Sequence, residues 1–425
     1  MRRFGVRIPT RPQKKDLYES AGLFCFSSIF RATYLHTMKK ILTLCLLAPS
    51  LIFAQEIKVP AGFRVSEIGK DLGATRHLAV SKQGDVYAKL SKLKEGNGIV
   101  LLKDRDKDGV YEEQTLFGNY TGTGVAIYDD YFYASSNKGV FRYRLNEKGE
   151  VADWNKFETI VDGLPDHGRD NAKPFVFDQD RKHIYVTIGS WNDPCRVAGT
   201  GKGMSPCAVL DSAGGVWRFD ANKLNQGFAD GTRFATGLKN AVGITWNNST
   251  KSLFAMAHGR GQFHDFYPQY YTPKQSQELP AEAMYEFKKA GDDAGWPYIY
   301  YDQFQKKKIV APEYGGDGKK TGGENALDPI VAFPAHMGPN DILFYTGNSF
   351  PARYKNGAFI AFHGQSAELK KGYFVRGQFV AEGEALLGES PELAAVAVGV
   401  AAATVTAGST FAITGSGRGV VGTAA

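Results

Sequence analysis

From residue 57 onward, apolar residues recur at alternate positions in short runs, each closed by Gly or Asp and followed by a second alternating run. A period of two places successive side chains on opposite faces of a strand, so each pair of runs predicts strand, turn, strand. The copies cover residues 78–90, turning at Gln83 and Gly84, then 125–145, 175–189, 244–259 and 342–364. A sixth, poorer copy covers residues 400–421, with 409–414 as its inner strand. Repetition of this unit predicts an all-β, six-bladed β-propeller with long loop inserts and an atypical last blade. The inserts, residues 190–215 and 260–335, hold clusters of Pro, Trp and Tyr, and ordered inserts on a rigid scaffold are where sites are built. Helix formers at Ala281, Glu282, Ala283, Met284, Glu286, Lys288 and Lys289 predict a short helix over residues 280–289. After Lys371 the composition turns to Ala, Gly, Val, Thr and Ser, which makes residues 373–425 anomalous as a blade.

Charge changes the picture only at the start of the chain. Residues 1–54 carry nine Lys/Arg against two Asp/Glu, which accounts for the whole net charge of +7. The remainder is formally neutral, so it gives no electrostatic support for a nucleic-acid partner. Lys39 and Lys40 precede an apolar run, residues 41–53, closed by Ala54, which is the plan of a secretory signal peptide over residues 38–54. Residues 1–37 then read as a mis-assigned upstream extension, and residues 55–425 as a single propeller domain, periplasmic or secreted. The run is too short for an integral membrane span. Cys195 and Cys207, in a Gly/Pro-rich insert, read as one disulfide in an oxidising compartment.

Candidate chemistry concentrates in loops that precede or follow the predicted inner strands. His167, in Leu164, Pro165, Asp166, His167, Gly168, Arg169, sits just ahead of a strand that ends in Thr187, Ile188, Gly189. Further strings are Gly237, Leu238, Lys239, Asn240 through Gly243, His258, Gly259, Arg260, Gly261, the Gly295, Trp296, Pro297 triplet, and Gly364 through Lys370 and Lys371. Arg76 and His77 precede the first inner strand, and His336 is a rival for any role given to His167. Asp104, Asp106 and Asp108 with Gly109 follow the spacing of calcium loops, although Thr115 stands where the bidentate acid belongs.

In combination, these strings resemble the soluble quinoprotein glucose and sorbosone dehydrogenase family over residues 57–372. The resemblance implies an exported enzyme that oxidises a sugar or related alcohol with pyrroloquinoline quinone (PQQ) and Ca²⁺. It makes His167 the catalytic base, since imidazole near neutral pH can take the hydroxyl proton as hydride leaves. It assigns Arg76, Lys239, Asn240, Lys370, Lys371 and Trp296 to the cofactor, and the Gly259 and Arg260 carbonyls to Ca²⁺. Lys239 stands where the family usually shows Arg, which keeps the charge and loses the bidentate fork. The expected partners are a small sugar and an external electron acceptor. Two other readings remain open: a non-catalytic carbohydrate- or protein-binding propeller, and a calcium-dependent lactonase.

Overall fold

In the computed structural model, alternation decides which core each side chain enters. Along the strand Asn97–Lys103, Ile99 and Leu101 join one cluster with Tyr87, Phe132 and Tyr143, while Val100 and Leu102 join another with Val86, Leu90 and Leu72. Both faces are apolar because each sheet is packed against a neighbour on either side. The Tyr87 and Phe132 rings stack across one such junction with centroids 4.5 Å apart, and each large side chain so buried is worth roughly 1.5–3 kcal/mol.

The structure describes residues 63–259, 261–348 and 350–363, with the backbone of the later strands Phe374–Gln378, Ala403–Val405, Thr410–Gly415 and Arg418–Ala424. The predicted signal peptide and upstream extension, Arg260, Lys370 and Lys371 lie outside the described residues. Among the described residues, the strands form six sheets of three to five strands and one two-stranded ribbon, Ile299–Asp302 with Lys307–Val310. One strand from each of five sheets, Thr75–Val80, Val125–Tyr128, Phe175–Phe177, Ala241–Asn247 and Pro339–Phe344, lines a central channel. Thr75–Val80 lies beside Val125–Tyr128 and Ala403–Val405, and Ala241–Asn247 lies beside Phe175–Phe177 and Pro339–Phe344. This radial arrangement is a β-propeller. Its ring is closed by Phe63–Lys70, which pairs antiparallel with Arg418–Ala424 and so joins early and late chain in one sheet.

Two elements differ from the expectation drawn from sequence. The helix expected over residues 280–289 is the strand Glu282–Phe287, hydrogen-bonded between Ser252–Ala257 and Val331–Phe333. Two ladders outweigh the helical preference of its residues. In the last sheet the innermost strand is Ala403–Val405, whereas Thr410–Gly415 is second, because Ala403–Val405 is the one beside the Pro339–Phe344 strand.

The insert after Ile188 is stapled by a Cys195–Cys207 disulfide, with both cysteines in the core. The Tyr298 hydroxyl accepts the Cys207 N–H at 2.9 Å, and the Tyr314 hydroxyl donates to the Cys195 and Met204 carbonyls. Closing a loop of this length restricts the unfolded chain by about 3 kcal/mol. The Cys195→Ser/Cys207→Ser double variant is therefore expected to unfold at lower urea by about that amount; an unchanged midpoint would assign the anchoring to the tyrosines alone.

Candidate functional site

At one end of the channel lies a cavity of about 480 Å³, lined by Arg76, Asp170, Asn240, His258, Asn340 and His363 among others. Its wall is assembled from the starts of inner strands and the loops before them. Arg76 and His77 open the strand Thr75–Val80, Asn240 precedes Ala241–Asn247, and Asn340 lies in Pro339–Phe344. A strand start is held by its ladder on one side and is free to turn its side chains into the channel mouth on the other, which is why site residues gather there.

The histidines are tied to backbone. His77 donates its Nε2–H to the Asn340 carbonyl at 2.7 Å, and His258 donates its Nε2–H to the Pro339 carbonyl at 3.0 Å. Burial pushes His77 and His363 down to about 4 and His258 to about 3, with the cation of Lys239 adding to the effect at His258. All are therefore neutral at physiological pH, and each carbonyl fixes its partner's tautomer. Two carboxyls are moved the other way: burial raises Glu282 to about 7 and Asp341, in the channel wall, to about 8.

These shifts make stability depend on pH. A depressed histidine contributes stability that is present above its unfolded value and lost as pH falls toward its folded value; a raised carboxyl acts in the opposite sense. Three histidines against two carboxyls leave a net slope of about one proton. The urea midpoint is thus expected to fall between pH 6.5 and 4. A midpoint that rises over that window would contradict the assignment of neutral histidines.

Lys239 does not line the cavity. Its ammonium lies between Asp193, at 2.8 Å, and Asp170, at 3.2 Å, while Arg169 meets the other Asp193 oxygen at 3.0 Å. Burial alone would lower the lysine, but the two carboxylates outweigh it and hold it above its ordinary value. The cation expected on a cofactor is instead engaged by the protein. Asn240, beside it, keeps a buried Oδ1 with no hydrogen-bond partner among the described residues.

His167 is exposed on the rim. Its ring lies on Trp191 with centroids 3.9 Å apart, and the chain enters the cavity wall three residues later at Asp170. Trp296 is placed elsewhere: its Nε1–H donates to the Asp193 carbonyl at 2.9 Å and its ring packs by Gly214, so it supports the insert from below instead of facing the cavity. His336 donates Nδ1–H to the Gln277 carbonyl at 2.9 Å and is not among the lining residues. Asp104, Asp106 and Asp108 bring side-chain oxygens within 4.8 Å of one another in a turn on the first complete sheet. Their oxygens already accept the N–H groups of Gly109, Asp108 and Val110.

The sequence did not single out Glu282 or Trp191. Glu282 is nearly fully buried, and its carboxylate accepts the Gly338 N–H at 2.7 Å and the Gly259 N–H at 3.2 Å. It thereby ties together the loop after Ser252–Ala257 and the turn that leads to Asn340. An acid among helix formers gave no sign of this. Trp191 stood in the insert already marked by its cysteines, and that was the available signal.

A family model described as TrAA12-like matches residues 57–391. A pyrroloquinoline quinone-dependent sugar dehydrogenase of Hypocrea jecorina is 22% identical over 342 residues, 75% of each chain. An uncharacterized protein of Borreliella burgdorferi is 27% identical over 130 residues, 31% of this chain, and the match spans only 29% of that relative's length. Among solved structures, the calcium structure of a Trichoderma reesei carbohydrate-active enzyme of family AA12 superposes with a TM-score of 0.66 at 17% identity, covering 87% of this chain and 97% of that one. The holo form of the PQQ domain of a Coprinopsis cinerea pyranose dehydrogenase gives 0.67 at 15% identity, with the same coverage. At these identities the structural likeness speaks for the propeller fold.

Proposed function

The chain belongs to the TrAA12-like family, and from that premise we propose that it is a PQQ-dependent dehydrogenase, exported by the signal over residues 38–54, that oxidises a sugar or related hemiacetal. The observation that carries the reading is the cavity that combines the Arg76 cation, neutral His258 and an Asn240 Oδ1 with no hydrogen-bond partner among the described residues. A planar tricarboxylate with a pyrrole N–H needs cationic partners for its carboxylates and a buried acceptor for that N–H. These residues fit it. We take the six sheets as six blades, with residues 55–425 as one domain.

Arg76 and Asn240 would hold the quinone, together with Lys370 and Lys371. Lys239, engaged by two aspartates, acts on the wall and not on the cofactor. The Gly259 and Arg260 carbonyls are assigned to Ca²⁺, with the Gly259 N–H held by Glu282. When bound, PQQ is the hydride acceptor and Ca²⁺ its Lewis acid. The remaining chemistry belongs to the chain. His167, exposed at the rim, takes the hydroxyl proton of the sugar as the C1 hydride departs, and exposure of the ring lets that proton pass on to water. An external electron acceptor would take up the two electrons released by the sugar.

The test is dye reduction with a panel of aldoses, using protein supplied with PQQ and Ca²⁺. Turnover that needs both additions supports the reading. Folded protein that turns over none of the sugars would favour a binding propeller.

A further inference from the structure

We infer that Trp191 is a positioning residue for His167: the indole is the fixed surface that holds the imidazole at the cavity rim. The inference rests on the reading of His167 as the base. His167 lies in an exposed stretch, residues 167–169 all being open to solvent, and its ring meets Trp191 at a centroid distance of 3.9 Å and a tilt of 44°. A histidine on an exposed loop samples several rotamers unless a neighbour restricts it, and a base that wanders spends little time within reach of its proton.

Trp191, by contrast, is anchored from both sides. The Ser190 N–H donates to the Lys239 carbonyl at 2.7 Å, and the Ser190 hydroxyl donates to the Asn192 carbonyl at 2.7 Å. The Asn192 side-chain amide donates to the Arg196 carbonyl at 3.0 Å. The Asp193 carbonyl accepts from Trp296, and its carboxylate binds both Lys239 and Arg169. The disulfide at Cys195 closes the segment, and the indole itself packs on the core that contains Cys195 and Trp217. Arg169 also carries the restraint back to the His167 loop, since it leaves that loop two residues later to reach Asp193. A rigid ring beneath an otherwise open imidazole is the arrangement that a base requires when no hydrogen bond among the described residues orients it.

The test uses the whole chain and has two readouts. Without cofactor, the His167 Hε1 resonance, identified by its loss in His167→Gln, is expected to move downfield in Trp191→Leu as the indole ring current disappears; an unmoved resonance overturns the inference. With PQQ and Ca²⁺, Trp191→Leu is expected to lower kcat about 10- to 100-fold, with KM changed far less, and Trp191→Phe to restore kcat to within about threefold, as a flat ring still supports the imidazole. In the His167→Ala background, Trp191→Leu should cost nothing further. An additive loss there would mean that the indole acts independently of His167 and would overturn the inference alone. Full turnover by His167→Ala would overturn the base reading and this inference with it. Thermal unfolding of each variant separates a loss of fold from a loss of position, and Trp191→Phe keeps the question decidable if Trp191→Leu does not fold.

Discussion

His167→Ala is expected to lower kcat for sugar oxidation by about 10²–10⁴-fold, the range that a positioned general base contributes. Because His167 is exposed and lies outside the cavity lining, PQQ binding should be unchanged and the unfolding midpoint nearly so. That combination separates a base from a structural histidine. Removal of His258, which is buried and donates to the Pro339 carbonyl, should instead cost stability and disturb binding. The measurement is steady-state kinetics with saturating aldose beside a binding isotherm for the cofactor. An enzyme that keeps its kcat without His167 takes its proton elsewhere.

The second large effect is on stability. Lys239→Ala leaves Asp170 and Asp193 facing each other across the space its ammonium filled, with side-chain exposures of only 19% and 15%. Removing one partner of a buried ionic cluster strands charge in a poorly solvated place and costs about 3–5 kcal/mol. Arg169 remains on Asp193 but is itself half exposed, so it compensates weakly. Urea unfolding at pH 7 should show the loss, and adding Asp170→Asn to Lys239→Ala should recover part of it by removing one of the two stranded charges. A change below about 1 kcal/mol would mean that the cluster behaves as a surface pair.

The alternating runs could be read from sequence because each face of a strand buries apolar side chains against a different neighbour, as Ile99 and Val100 do. That pattern leaves a signature of period two whatever the sheet order. It failed where composition and tertiary pairing disagree. Glu282–Phe287 is written in helix formers, yet two flanking strands set its backbone, and Glu282 could enter the core only because two loop N–H groups meet its carboxylate.

The site divides in the same way. The Asp166–His167 loop and Asn240 stood out as local strings. The relation of Lys239 to Asp170 and Asp193, 69 and 46 positions away in the chain, and that of Trp191 to His167, 24 away, depend on how separate loops converge at the channel mouth. Trp296 shows the limit of residue type: an indole serves equally as a ligand platform or a core wedge, and its Nε1–H found the Asp193 carbonyl.

The channel-mouth cavity is proposed as a quinone site. Calorimetric titration of the purified protein with PQQ, in Ca²⁺ and then in excess chelator, tests it most directly. Saturable binding of one equivalent in Ca²⁺ is expected, weakened by the chelator and by Arg76→Ala. Folded protein that releases no heat with PQQ in either condition would contradict it.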